Sequence, residues 1–67
     1  MEHGHAKVNN VTLGKESESG LAILVTFHDA DKKLWVPLSQ VSEMTRTKTA
    51  GSDSIAIAQW WLDRNEL

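Results

Sequence analysis

Histidines, aspartates, serines, tryptophans and a few scattered bases are the residues of this chain that could do chemistry. His3 stands third from the amine of Met1. An amine, two backbone amides and an imidazole at that spacing can hold Cu(II) or Ni(II) in a square plane. With His5 nearby, this is the only metal candidate at the N-terminus, and the simpler reading of such a polar, glycine-containing end is a frayed tail. His28, Asp29 and Asp31 could gather a cation, but they lack the spacing of a calcium-binding loop, and aspartate is an ordinary turn residue. No metal and no cofactor are expected. Ser17, Ser19, Ser39, Ser42, Ser52 and Ser54 have no nucleophile motif around them, and a chain this small has little room for a pocket of about 300–1,000 Å³. An enzyme is not expected.

Trp35, Trp60 and Trp61 could form a stacking platform for single-stranded bases, as on OB-like barrels, or they could pack a core. Trp35 is expected in the core. Trp60 and Trp61 are neighbours on a short helix and diverge by about 100°, so one is expected in the core and the other at a rim. The exposed one, which the sequence leaves open, would be a natural binding anchor. Lys32, Lys33, Arg46 and Lys48 would form one basic patch if their two strands lie side by side. The simpler reading is a mixed, solvated surface. Glu16, Glu18, Asp63 and Glu66 form the opposing acidic set.

The elements that position these residues must fit in 67 residues, enough for one domain. Such a chain buries only about 60% of its unfolded surface and usually needs a staple. There is no cysteine, so disulfides and thiolate zinc sites are excluded. Large tryptophans, each able to bury about 150–250 Å², or self-association would substitute. The formal charge is −2, with Lys and Arg numbering seven and scattered, which argues against phosphate-driven binding as the main activity. The apolar run Leu21–Phe27 is too short for a membrane span, and the N-terminus lacks the pattern of a secretory signal. The expected location is the cytoplasm.

Periodicity supplies the elements. Residues 1–6 are expected to be a flexible tail, with one small β domain over 7–67. Lys7–Leu13 reads as a strand and 14–20 as a loop. In Leu21–Phe27, the residues Leu21, Ile23, Val25 and Phe27 share one face. His28–Lys32 turns the chain into a strand ending at Pro37, which has no ladder N–H to give. Leu38–Val41 reads as a single turn. Ser42–Thr49 reads as a weak, solvent-facing strand containing Met44. Ser54–Ala58 alternates like a strand, with a helix from Ser54 as the open alternative, and Gln59–Leu67 suits a short helix. The fold class is mainly β: a small, strongly bent antiparallel sheet or partly open barrel of about four to five strands, with a short C-terminal helix.

The segments Glu18-Ser19, Ala22-Ile23-Leu24-Val25, Asp29 to Lys32, and above all Trp35-Val36-Pro37-Leu38-Ser39-Gln40-Val41, followed by Ile55-Ala56-Ile57, Trp60-Trp61-Leu62 and Leu67, form a pattern. It resembles a loose group of short phage and prophage proteins and domains of bacterial mobile elements. The likeness runs over roughly 15–67. The position after the proline is often basic in that group and is Leu38 here. The helix start is often marked by proline, where this chain has Ala58 or Gln59. The resemblance implies an origin in a phage or mobile element, in a bacterial host cell, more than it implies an activity.

The function expected from these readings is non-enzymatic binding through a protein–protein interface, with a host or phage protein as partner. The candidate anchors are the exposed member of Trp60 and Trp61, together with Met44, Arg46 and Lys48. A homo-oligomer formed through an edge strand is a specific version of this idea. The alternative is a nucleic-acid accessory protein, with Lys32, Lys33, Arg46 and Lys48 on phosphates and a tryptophan stacking on bases.

Overall fold

A computed structural model describes residues 4–67. Five strands form one antiparallel sheet that does not close: β1 (His5–Glu16), β2 (Ala22–Phe27), β3 (Lys32–Pro37), β4 (Val41–Thr45) and β5 (Asp53–Ala58). A 3-10 turn, Leu38–Gln40, joins β3 to β4, and a short helix, α1 (Gln59–Arg64), follows β5. The spatial order is β3-β2-β1-β5-β4, so β3 and β4 are the two edges. The architecture is the mainly β sheet with a C-terminal helix that the periodicity predicts, and 54–58 is a strand.

Strand β1 holds the sheet together because it pairs on both sides, and it is bent in two places. Val8 faces Ile55 while Val11 faces Asp53, so β1 uses three steps where β5 uses two. Asn10 absorbs the extra residue with a left-handed φ of 58°, a conformation asparagine tolerates better than most residues. A second extra residue falls between Leu13, opposite Val25, and Glu16, opposite Ile23. Such bulges bend the bulged strand and increase its twist. Gly14 sits at the second bend. A Cβ there would come within 2.9 Å of the Leu24 carbonyl oxygen, so the close approach of β1 to β2 requires glycine. These polar and glycine positions hide the strand's true length: it runs from His5 to Glu16 rather than from Lys7 to Leu13.

The core face of the sheet buries Val11, Leu13, Ile23, Val25, Phe27, Val36, Ile55, Ile57 and Ala58, and α1 adds Trp61 and Leu62 to the same cluster. Strand β4 contributes no fully buried residue. The helix segment is tied at one end to the β3–β4 connection and at the other to the start of β3. Trp60 Nε1 donates to Gln40 Oε1 (3.1 Å), and Lys32 Nζ donates to the Asn65 carbonyl (2.6 Å).

Two core expectations are corrected. Trp35 is 47% exposed. Only one parity of Leu34-Trp35-Val36 can face inward, and the register sets Val36 opposite Ile23 and Leu34 opposite Val25, which puts Trp35 beside Leu24 on the outer face. Leu21 is also exposed, because it precedes β2 and serves through its backbone, accepting from the Leu38 amide. The expected strand over 42–49 stops at Thr45.

Candidate interaction surface

Among the described residues, β4 carries the longest run of exposed residues in any strand. Ser42, Glu43, Met44 and Thr45 are all exposed. On its inner side the strand pairs with β5, Val41 opposite Ile57 and Met44 opposite Ile55, with one extra residue between Val41 and Glu43. At its beginning stands Trp60. Its indole is 51% exposed, yet its N–H is held by Gln40, which immediately precedes the strand. Trp61, one residue on, is buried. The helical divergence between neighbours therefore splits the pair as expected, with Trp60 as the rim residue. A half-exposed aromatic ring already fixed by a hydrogen bond has little side-chain entropy left to lose on binding, which is what favours an anchor.

The other end of β4 is fixed by Asp53. Its carboxylate accepts from the Leu13 amide (2.9 Å) through one oxygen, and from the Thr47 amide (2.7 Å) and Thr47 hydroxyl (3.1 Å) through the other. The carboxyl pKa is held below the ordinary aspartate value. The amides of Leu13 and Thr47 are the chief causes, helped by the Thr47 hydroxyl and the charge of Arg46 and opposed by desolvation. Arg46 works at the same junction. Its two guanidinium nitrogens donate to the carbonyls of Leu13 and Gly14, each at 2.8 Å. These carbonyls lie beyond the start of β5, so Arg46 occupies the place of a neighbouring strand there. The loop after β4 is also latched to β1: the Gly51 amide donates to Thr12 Oγ1 (3.0 Å), and Thr12 Oγ1 shares a 2.7 Å hydrogen bond with His28 Nε2.

The four basic candidates therefore do not form one free patch. Lys32 and Lys33 lie on β3, and Arg46 and Lys48 follow β4, at the opposite end of the strand order. Lys32 is engaged with Asn65 and Arg46 with β1. Met44 and Lys48 remain exposed. His3 lies outside the described residues. Among the described residues no group of three or more His, Cys, Asp or Glu side chains could hold a metal ion. His28 is engaged with Thr12, and Asp29 accepts from Asn10 Nδ2.

Sequence reasoning missed Gln40, Glu43 and Asp53. Gln40 and Trp60 are twenty residues apart, and no local pattern links them. Asp53 had the composition of a loop residue, although its position immediately before the alternating stretch 54–58 was a usable sign of a strand start. The chain matches no protein-family model, no curated protein and no solved structure.

Proposed function

We propose that this chain is a non-enzymatic binding protein that docks an extended segment of a protein partner along the outer edge of β4. The observation that carries the proposal is the unpaired β4 edge with the pre-oriented Trp60 indole at its start. Strand addition supplies main-chain hydrogen bonds for affinity and side-chain contacts for specificity. Trp60 and Met44 act as apolar anchors, and Lys48 lies in the loop that follows. The resemblance of the sequence pattern to phage and mobile-element proteins supports a setting in the bacterial cytoplasm, with a host or phage protein as the proposed partner.

The pattern of the edge favours a foreign strand over a second copy. The register that pairs the whole of β4 with itself, Val41 with Thr45, sets Glu43 against Glu43 of the second copy. Like charges directly opposite are destabilising. A partner strand carrying Lys or Arg at that point avoids the clash. The nucleic-acid alternative is weaker, because two of its four bases are spent on hydrogen bonds within the fold.

The test is capture of partners from bacterial lysate on tagged protein, with and without nuclease, comparing wild type with Trp60→Ala and Met44→Lys. A nuclease-resistant partner is expected whose affinity falls roughly 30-fold with Trp60→Ala, the size of an interface hot spot of about 2 kcal/mol, and at least tenfold with lysine on the edge. Retention of full affinity by both variants would sink the proposal. Capture that disappears with nuclease would replace it with the nucleic-acid reading.

A further inference from the structure

Strand β1 is paired on both sides over only part of its length. It meets β2 from Val11 onward, whereas its first half, from His5 to Val8, pairs with β5 alone. The Gln59 amide donates to the Gly4 carbonyl (3.0 Å). Residues that exchange bonds alternate along an antiparallel ladder, so Ala6 and Val8 turn their backbone groups to β5, opposite Ile57 and Ile55. His5 and Lys7 turn theirs the other way, where among the described residues no strand receives them. The turn after β2 closes this open edge at one end, with the His28 amide donating to the Asn10 carbonyl (3.2 Å). An apolar hollow of about 70 Å³ lies against the edge. Its lining includes Val8, Val11, Phe27, Ala30 and Leu67 and no residue of β5, so it opens on the unpaired side.

We infer that this edge takes an extended segment of a protein partner in which an acidic residue stands between two aliphatic ones. Strand addition joins main-chain hydrogen bonds to pockets for alternate side chains, and here both lie in one place. Side chains alternate between the two faces of a strand. Ala6 and Val8 pack against the core, so partner residues opposite them face the same side, and the one beside Val8 meets the hollow. That hollow, roughly twice the share of a water in the liquid, holds the end of one aliphatic side chain. Lys7 belongs to the other face and is exposed, so the partner residue directly opposite it gains from a carboxylate. Asp29, at the hollow, accepts from Asn10 Nδ2 (3.3 Å) and disfavours a second acid there. A second copy is the poorer occupant. The register that pairs the whole free stretch with itself, His5 with Asn9, sets Lys7 against Lys7, and like charges directly opposite are destabilising. This edge shares no residue with the β4 edge, and β5 lies between the two strands.

The experiment titrates the ¹⁵N-labelled full chain with acetyl-Thr-Val-Glu-Val-Thr-amide, whose palindromic order fits either strand direction. Saturable shifts of the 5–9 amides and of the Ala30 and Leu67 amides are expected, with Kd on the order of millimolar, weakening as salt rises. Lysine in place of the glutamate, or serine in place of both valines, should weaken binding about threefold or more. Lys7→Glu should reverse the preference between the glutamate and lysine peptides. It alters an exposed side chain, and amide dispersion checks that it folds. No shift at 5–9, an equal response to the lysine or the serine peptide, or an unchanged preference in Lys7→Glu would each overturn the inference. Shifts at 5–9 that follow protein concentration without peptide would overturn it in favour of a second copy. Shifts confined to 42–45 would overturn it while supporting the β4 proposal, so the two readings fail separately.

Discussion

Strand β3 reaches the outside of the sheet with Lys32 and Lys33 at its start and Pro37 at its end. Strand β4 reaches the opposite outside with Ser42, Glu43, Met44 and Thr45, without lysine or proline. Lysine and proline are the residues natural sheets place on edges to discourage pairing with other chains. The β3 edge is also tied down from within: Val36 is fully buried, and Lys32 reaches across to the end of the helix segment. The β4 edge is held by its ladder to β5 and by the Asp53 junction, and it places no side chain fully in the core. One edge thus serves the core and carries residues that repel partners. The other is held in shape from its two ends and left open along its length. In a sheet that does not close, this difference distinguishes structural from available backbone.

The largest effect should come from cutting the tie that holds β4 in place. Asp53→Ala removes the acceptor for two backbone amides and a hydroxyl at once. The expected result is a marked fall in Tm, with faster hydrogen exchange at 41–47 than at 32–37. The pH dependence has the same origin. The folded pKa of Asp53 is lowered, so the native state binds fewer protons than the unfolded state in that range. Its contribution is complete above the ordinary carboxylate pKa and is lost as pH falls through the lowered folded value. Acid unfolding followed by circular dichroism should therefore be shallower in Asp53→Ala than in wild type. Equal acid sensitivity of the two proteins would remove Asp53 from this role.

Much of this fold was legible because the hydrophobic pattern has a period of two wherever a strand faces the core. Ile23, Val25 and Phe27 announce β2, and Ile55 and Ile57 announce β5. Where the pattern was misleading, two apolar parities competed. Leu34-Trp35-Val36 is apolar throughout, and residue size points to the tryptophan as the core residue. The register with β2 decides the other way, and register is a property of two strands together. The extent of β1 was hidden for a related reason. Asn9, Asn10 and Gly14 lower strand propensity, but they are the residues that bulges and a close strand approach require. The site was less legible than the fold. Exposure of one member of the Trp60–Trp61 pair follows from helix geometry. The Gln40 contact that orients Trp60, and the carbonyls that engage Arg46, depend on long-range packing that leaves no local trace.

The asymmetry between the edges should also appear in side-chain truncation. Val36→Ala on β3 removes buried methyls from a position with no solvent access and should cost about 2 kcal/mol, counting roughly 0.8 kcal/mol per buried carbon plus a cavity contribution. Met44→Ala on β4 removes a larger side chain from an exposed position and should change stability by less than about 0.5 kcal/mol. Urea unfolding of the two variants measures both. A larger loss at Met44 than at Val36 would mean that β4 is held by its own side chains, and the division between structural and available edges would fall.

The last expected effect is a gain, smaller than the loss at Val36, and it acts on the β3 side alone. Beyond α1 the chain closes with the Leu67 amide donating to the Leu62 carbonyl and the Glu66 amide to the Asp63 carbonyl. This is the double bond pattern of a Schellman cap. Its pivot, Glu66, has φ +58°, a conformation that costs a non-glycine residue roughly 1–2 kcal/mol. Glycine avoids most of that cost but brings greater freedom to the unfolded chain, so Glu66→Gly should stabilise by about 0.5–1 kcal/mol. The cap positions Leu67 against the hydrophobic core and holds the Asn65 carbonyl, which accepts from Lys32. A firmer cap should therefore slow hydrogen exchange at 32–34 while leaving 42–45 as it is. Equal protection of both segments would show that the helix end supports the whole sheet, whereas protection confined to β3 would show that the two edges respond independently.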